Sequence, residues 1–179
     1  MEKSSQKGLL IVYTGNGKGK TTAAVGLAVR AAGYGKKVLF LQFIKEWFTG
    51  EKESLGKLSE QIDFYQMGEG FVGIWGDRKA KLVHSSAALN ALEFAKQAVQ
   101  ERRYDVYIFD ELNVAVAEGL VSWEHVKELV DIKDDTADMV ITGRGALAAL
   151  IEQSDLVTEM VEVKHPFQKG ILAKRSIDF

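Results

Sequence analysis

Between the apolar run Gly8-Leu-Leu-Ile-Val-Tyr13 and the amphipathic stretch Thr21–Ala32 lies Thr14-Gly-Asn-Gly-Lys-Gly-Lys-Thr-Thr22, and this junction constrains the fold most. The apolar run is short, β-branched and closed by glycine, which suits a strand buried on both faces, the kind found in parallel sheets. After the glycines, Ala23, Ala24, Leu27, Ala28 and Ala31 recur at helical spacing, and Gly33 supplies a stop. Lys37-Val-Leu-Phe-Leu-Gln-Phe43 then reads as a second buried strand. Strand, glycine loop, helix and strand in succession make a βαβ unit with a right-handed crossover.

The rest of the chain continues the alternation. Ile44–Leu58 is mixed in character and reads as a loop with one helical turn, Ile62–Met67 as a strand, and Gly68–Asp77 as a glycine-studded connection. A long helix is predicted from about Lys79 to Arg103, with Leu82, Ala88, Leu89, Leu92, Ala95 and Val99 along one face. Val106–Phe109 is a strand ending in Asp110-Glu111; short helices are predicted at Asn113–Glu118 and, capped by Ser122, at Ser122–Asp131. Met139–Thr142 and Leu156–Val163 are further strands around a helix near Ala146–Ser154. The expected fold is α/β: an open, mostly parallel sheet with helices on both faces, forming a single domain over residues 1–179 with 1–7 flexible.

Composition narrows the function. The 179 residues carry 23 basic and 25 acidic side chains, a net charge of −2. That balance argues against a general nucleic-acid or anionic-membrane binder, though not against a local positive pocket. The absence of cysteine excludes disulfides, thiolate metal sites and cysteine nucleophiles. The longest apolar runs, Leu9–Tyr13 and Val38–Leu41, fall far short of the ~20 residues needed to span a bilayer. Met1–Lys7 is polar and the run behind it too short for a signal peptide, so a cytoplasmic location is expected.

The Thr14–Thr22 segment has the context and chemistry of a phosphate-binding loop. Its glycines at 15, 17 and 19 let successive N–H groups converge on phosphate oxygens. The helix N-terminus adds partial positive charge, Lys20 a full one, and the Thr21 hydroxyl suits a magnesium ligand. The bland alternative is an ordinary glycine-rich turn. One departure matters: the usual Gly-x4-Gly-Lys-Ser/Thr spacing places its first glycine where Thr14 stands, and Lys18 adds a second cation, so the standard phosphate register is not assumed.

Asp110-Glu111 at a strand end fits an acidic element reaching the metal or its water shell, against the alternative of a solvated strand end. The second acid can activate water or join the metal shell, and residue chemistry alone does not choose. Arg144, in Thr142-Gly-Arg-Gly145, is placed to read a terminal phosphate, the alternative being a solvated turn. His84, His125 and His165 lack metal-ligand spacing and read as solvated or core residues.

On these residues the sequence resembles the P-loop ATP:corrinoid adenosyltransferases. The matching stretches are Gly15–Thr22, Gln42-Phe-Ile-Lys45, Gly70-Phe71, Asp110-Glu111-Leu112, Thr142-Gly-Arg-Gly145, Val163-Lys-His165 and Ile177-Asp-Phe179, in the family's order over nearly the whole chain. The resemblance implies a P-loop NTPase fold of RecA-like type, and a reaction in which a cobalt(I) corrinoid attacks the 5′ carbon of ATP and releases triphosphate. It implies ATP contacts from Thr14, Gly15, Asn16, Gly17, Lys18, Gly19, Lys20, Thr21, Thr22 and Arg144. Lys20, Thr21 and Glu111 would carry catalysis, with Mg2+ or Mn2+ held by Thr21, Glu111 and Asp110. Reversed ATP across the loop is compatible with the altered spacing at Thr14. The family's aromatic shield under the corrin maps onto Phe71 and, two residues later than the family pattern, Trp75, which reaches the corrin only if the loop bulges. Implied partners are ATP, cobalamin or another corrinoid, an electron donor such as a flavoprotein, and a second copy in a homodimer, with neither nucleic acid nor membrane.

Two other readings share these residues. A P-loop kinase or ATPase would act at the γ-phosphate with Glu111 activating water and Arg144 stabilising charge, and would produce ADP. A non-catalytic ATP- or corrinoid-binding chaperone would bind tightly without turnover.

Overall fold

The computed structural model describes residues 7–70 and 80–178. Strands β1 (Leu10–Thr14), β2 (Val38–Gln42), β3 (Ile62–Gln66), β4 (Val106–Asp110), β5 (Asp138–Thr142) and β6 (Leu156–Glu159) form one sheet in the order β3-β2-β4-β5-β1-β6. Each pairing is parallel. Strand β5 thus separates the strand that feeds the glycine loop from the strand that ends in the acidic pair, the RecA-like arrangement.

Alternation along each strand assigns its side chains to two cores. On one face Ile11, Val38, Phe40, Val106, Ile108 and Val140 pack with Ala24 and Ala28 of α1 (Lys20–Gly33) and Leu55 of α2 (Gly50–Gly56). On the other, Val12, Leu39, Leu41, Tyr107, Phe109, Met139 and Ile141 meet α3 (Lys81–Gln100), α4 (Leu112–Ala117), α5 (Trp123–Asp131) and Leu150 of α6 (Ala148–Gln153). Burial on both faces explains why β1, β2, β4 and β5 read as apolar runs.

Several expectations change in detail. The buried stripe of α3 is Ala88, Ala91, Leu92, Ala95, Ala98 and Val99, whereas Leu82 is 76% and Leu89 37% exposed. Small residues at this spacing let the helix lie close to the sheet, and the two leucines fall off that stripe. The helix ends before Arg102, whose φ of 51° reverses the chain. The expected loop at 44–58 contains the seven-residue α2. The strand predicted over Leu156–Val163 is only Leu156–Glu159, an edge strand whose four residues are all exposed. It stops because Met160, whose N–H still donates to Thr14 O at 2.9 Å, turns its carbonyl onto the Gly17 N–H at 2.6 Å. The Ser122 cap is present, its hydroxyl accepting His125 N–H at 3.4 Å.

Register aligns the polar strand ends on one edge. Gln42 pairs with Gln66 and Asp110, Tyr13 with Thr142, and Thr14 with Glu159. In open α/β sheets, ligands bind at this carboxyl edge.

Candidate active site

The glycine loop owes its residue choice to two pressures. A Cβ at Gly15 would stand 2.5 Å from Met160 O, at a φ of +92°, and one at Gly17 would stand 2.7 Å from the same oxygen. These glycines therefore admit the passing backbone of residues 160–161 as well as shaping the loop. One N–H expected to face phosphate, that of Gly17, is held by the Met160 carbonyl. Thr14, where a standard loop has glycine, is buried, and its hydroxyl accepts the Ala146 N–H at 3.3 Å, tying the loop to the turn that carries Arg144.

Lys20 is 7% exposed, and its ammonium donates to Gly15 O and Gly17 O, each at 2.8 Å. Burial lowers its pKa from the ordinary lysine value, with the Glu111 charge opposing and Arg144 adding to the shift. Thr21 donates its hydroxyl proton to Asp110 Oδ1 at 2.9 Å, which leaves the oxygen's lone pairs for a cation. Asn16, Lys18 and Thr22 are exposed.

Asp110 is fully buried and is the hub of the edge. Its Oδ1 accepts Thr21 and, at 2.8 Å, Thr142; its Oδ2 accepts Gln42 Nε2 at 2.9 Å, with the Lys45 ammonium at 3.5 Å. Thr142 Oγ1 also accepts the Glu111 N–H at 3.0 Å, so β5 clamps the acidic pair. Lys45 reaches Glu51 Oε1 at 2.9 Å, and Glu51 also accepts Gln42 Nε2 at 3.2 Å. Glu111 takes the left-handed conformation, φ 64°, unusual for a residue with a Cβ and characteristic of functional sites. Burial first, and then the Asp110 charge, push its carboxyl up to about 7, against the pull of Lys45, Lys20 and Arg144.

Arg144 projects from a turn whose Gly143, at φ +128°, lies against α4; a Cβ there would stand 2.9 Å from Val114 N. Its side chain is exposed, and its charge bears on both Glu111 and Lys20. The structure thus gathers Thr14, Gly15, Asn16, Gly17, Lys18, Gly19, Lys20, Thr21, Thr22, Asp110, Glu111 and Arg144 around one edge. Phe71 and Trp75 lie outside the described residues. His84 is buried, His165 Nδ1 accepts Phe167 N–H at 3.2 Å, and among the described residues no group of three or more His, Cys, Asp or Glu is placed to hold a metal. No helix among them is long and apolar enough to cross a membrane.

Residue reasoning gave no role to Thr142, Gln42, Lys45 or Glu51. Gln42, Lys45 and Thr142 lie in stretches that match the family and stand at or just beyond the end of an apolar strand run, whereas Glu51, in α2, carried no signal. Which of these ends face one another depends on strand order.

Fold and loop together define an α/β protein of the P-loop class. The family model described as ATP:corrinoid adenosyltransferase BtuR/CobO/CobP matches residues 6–179, and the chain belongs to that family of enzymes. It is 37% identical to a corrinoid adenosyltransferase of Pseudomonas aeruginosa over 97% of this chain and 85% of the relative. It is 39% identical to one of Sinorhizobium sp. (99% and 83%) and 36% identical to one of Escherichia coli K12 (99% and 89%). Among solved structures, the flagellar accessory protein FlaH of Methanocaldococcus jannaschii superposes with a TM-score of 0.56 at 16% identity, covering 86% of this chain and 71% of FlaH, a likeness of fold.

Proposed function

We propose that this chain transfers the 5′-deoxyadenosyl group of ATP to the Co(I) centre of a corrinoid, cobalamin or a precursor, forming a cobalt–carbon bond and releasing triphosphate. The observation that carries the reading is a full-length match to the adenosyltransferase family combined with a loop that presents the buried Lys20 ammonium beside Thr21 and Glu111. Co(I) is itself the nucleophile, so the protein needs neither a nucleophile nor a base. Its work is to align the 5′ carbon and to neutralise the departing triphosphate.

Each residue then has a task. Lys20 exchanges its two neutral carbonyl acceptors for phosphate oxygens. Loop N–H groups and the start of α1 add further positive potential. Thr21, oriented by Asp110, and Glu111 offer the hard oxygen donors that suit Mg2+ or Mn2+. With so few protein carboxylates, phosphate oxygens would complete the shell, and the metal supplies charge neutralisation of the leaving group. Asp110, with protein donors on both oxygens, acts on the metal mainly through Thr21. Arg144 approaches the end of the phosphate chain. Phe71, and Trp75 only with a bulged loop, would shield the lower face of the corrin, as the resemblance implies. An electron donor such as a flavoprotein would supply the reduced cobalt, and the protein would work in the cytoplasm as a homodimer.

The raised carboxyl of Glu111 favours one second reading, a γ-phosphate-cleaving ATPase or kinase using it as base. Phosphorus NMR after anaerobic incubation with ATP, magnesium and chemically reduced cobalamin separates the two. Triphosphate formed only when the corrinoid is present supports adenosyl transfer; ADP and phosphate refute it.

A further inference from the structure

Lys18 and Lys20 are both engaged by the protein itself, but by chemically different partners. Lys20 donates to two neutral carbonyls. Lys18, exposed on the outer side of the loop, places its ammonium 3.2 Å from Asp178 Oδ1. That carboxylate is fixed in place: its Oδ2 accepts the Lys174 N–H at 2.8 Å, and the Asp178 N–H donates to Lys174 O at 2.8 Å. Its pKa is held below the ordinary aspartate value, first by the Lys174 N–H, with burial opposing and Lys18 adding to the shift. A second strand of chain already borders the loop where Met160 accepts Gly17 N–H. The Asp178 turn, held by its two hydrogen bonds to Lys174, therefore brings a negative charge to the rim of a site otherwise built to hold an anion.

An arriving polyphosphate takes Lys20 from its carbonyls and leaves no charge behind. Taking Lys18 leaves the Asp178 carboxylate unpaired next to a polyanion. We propose that Asp178 is a tethered counter-ion of the phosphate loop, competing with polyphosphate for Lys18 and so loosening the hold on triphosphate. The inference rests on the loop holding the triphosphate of the proposed reaction. A carboxylate within a few ångströms of a multiply charged phosphate in a solvent-accessible setting changes affinity by about three- to tenfold.

The test is calorimetric titration of the full chain with tripolyphosphate at low and high salt, comparing the parent with Asp178→Asn and Lys18→Met. Thermal melts check that both variants are folded, as expected where the ion pair is solvent-accessible. Asp178→Asn is expected to bind about three- to tenfold more tightly, with the gain shrinking at high salt, and Lys18→Met to bind more weakly. Hydrogen exchange across residues 174–178 should rise when tripolyphosphate is added to the parent. Unchanged or weaker binding by Asp178→Asn overturns the counter-ion role, as does unaltered binding by Lys18→Met or protection of the turn on saturation. If the parent itself does not bind tripolyphosphate, the leaving-group assignment of the loop falls, and the counter-ion role falls with it.

Discussion

Replacing Lys45 by methionine keeps the length of the side chain and removes the ammonium that lies between Glu51 and Asp110. The side chains of Lys45 and Glu51 are only 11% and 14% exposed, and Asp110 is fully buried. Removing one member of a buried pair costs about 3–5 kcal/mol, because the remaining charge is left uncompensated. For a domain of this size that lowers Tm by about 6–20 °C. The pH dependence identifies the cause. In the parent, burial raises the Glu51 pKa, but the charge and hydrogen bond of Lys45, with help from Gln42, bring it below 4.5. Its contribution is therefore present above pH ~4.5 and lost as pH falls through the lowered value. In Lys45→Met burial acts without that opposition, the Glu51 pKa lies above its unfolded value, and ionised Glu51 destabilises. That penalty is relieved on acidification, so the gap between parent and variant should narrow from pH 7 to pH 5. Urea denaturation at both pH values measures it. A loss under about 1 kcal/mol at pH 7, or a gap that widens at pH 5, would refute the reasoning. Adding Glu51→Met, which removes the stranded Glu51 charge, should recover the part of the loss due to Glu51, while Asp110 still lacks its cation.

Thr142→Val removes both the donor to Asp110 Oδ1 and the acceptor of Glu111 N–H, and should cost about 2–4 kcal/mol in chemical denaturation. A loss under ~1 kcal/mol would mean that water replaces the hydroxyl. Gly15→Ala forces a Cβ against Met160 O at positive φ; it is expected to destabilise by at least about 2 kcal/mol and to weaken tripolyphosphate binding, read by melting and titration. Lys20→Ala should reduce adenosyl transfer by about 10²–10³ with an unchanged far-UV spectrum, and near-normal turnover would remove its leaving-group role.

Much of this architecture was legible from local pattern. The run Gly8–Tyr13, the glycine loop, the alanine-rich helix and the run Lys37–Phe43 fold as the βαβ unit they predict, because a doubly buried strand must be apolar throughout and a loop at a helix start must admit unusual backbone angles. Asp110 and Thr142 were visible as strand ends. That the Thr142 hydroxyl donates to Asp110, 32 residues away in sequence, was not, since no local rule makes β4 and β5 neighbours. The exposed Leu82 and Leu89 were misread for a similar reason: helical periodicity gives a stripe, but the contact with the sheet selects its centre.

The amino-acid sequence by itself determined the fold class and the family, because strand and helix periodicity is local and the family's motifs are short contiguous stretches recurring in order along the chain. The tertiary structure alone decided that Lys45 and Gln42 stand between the carboxylates of Glu51 and Asp110, that Met160 crowds the loop glycines, and that Asp178 returns to Lys18. Those relations depend on strand order and register, and a buried charge acquires its partner only when distant segments are packed beside it.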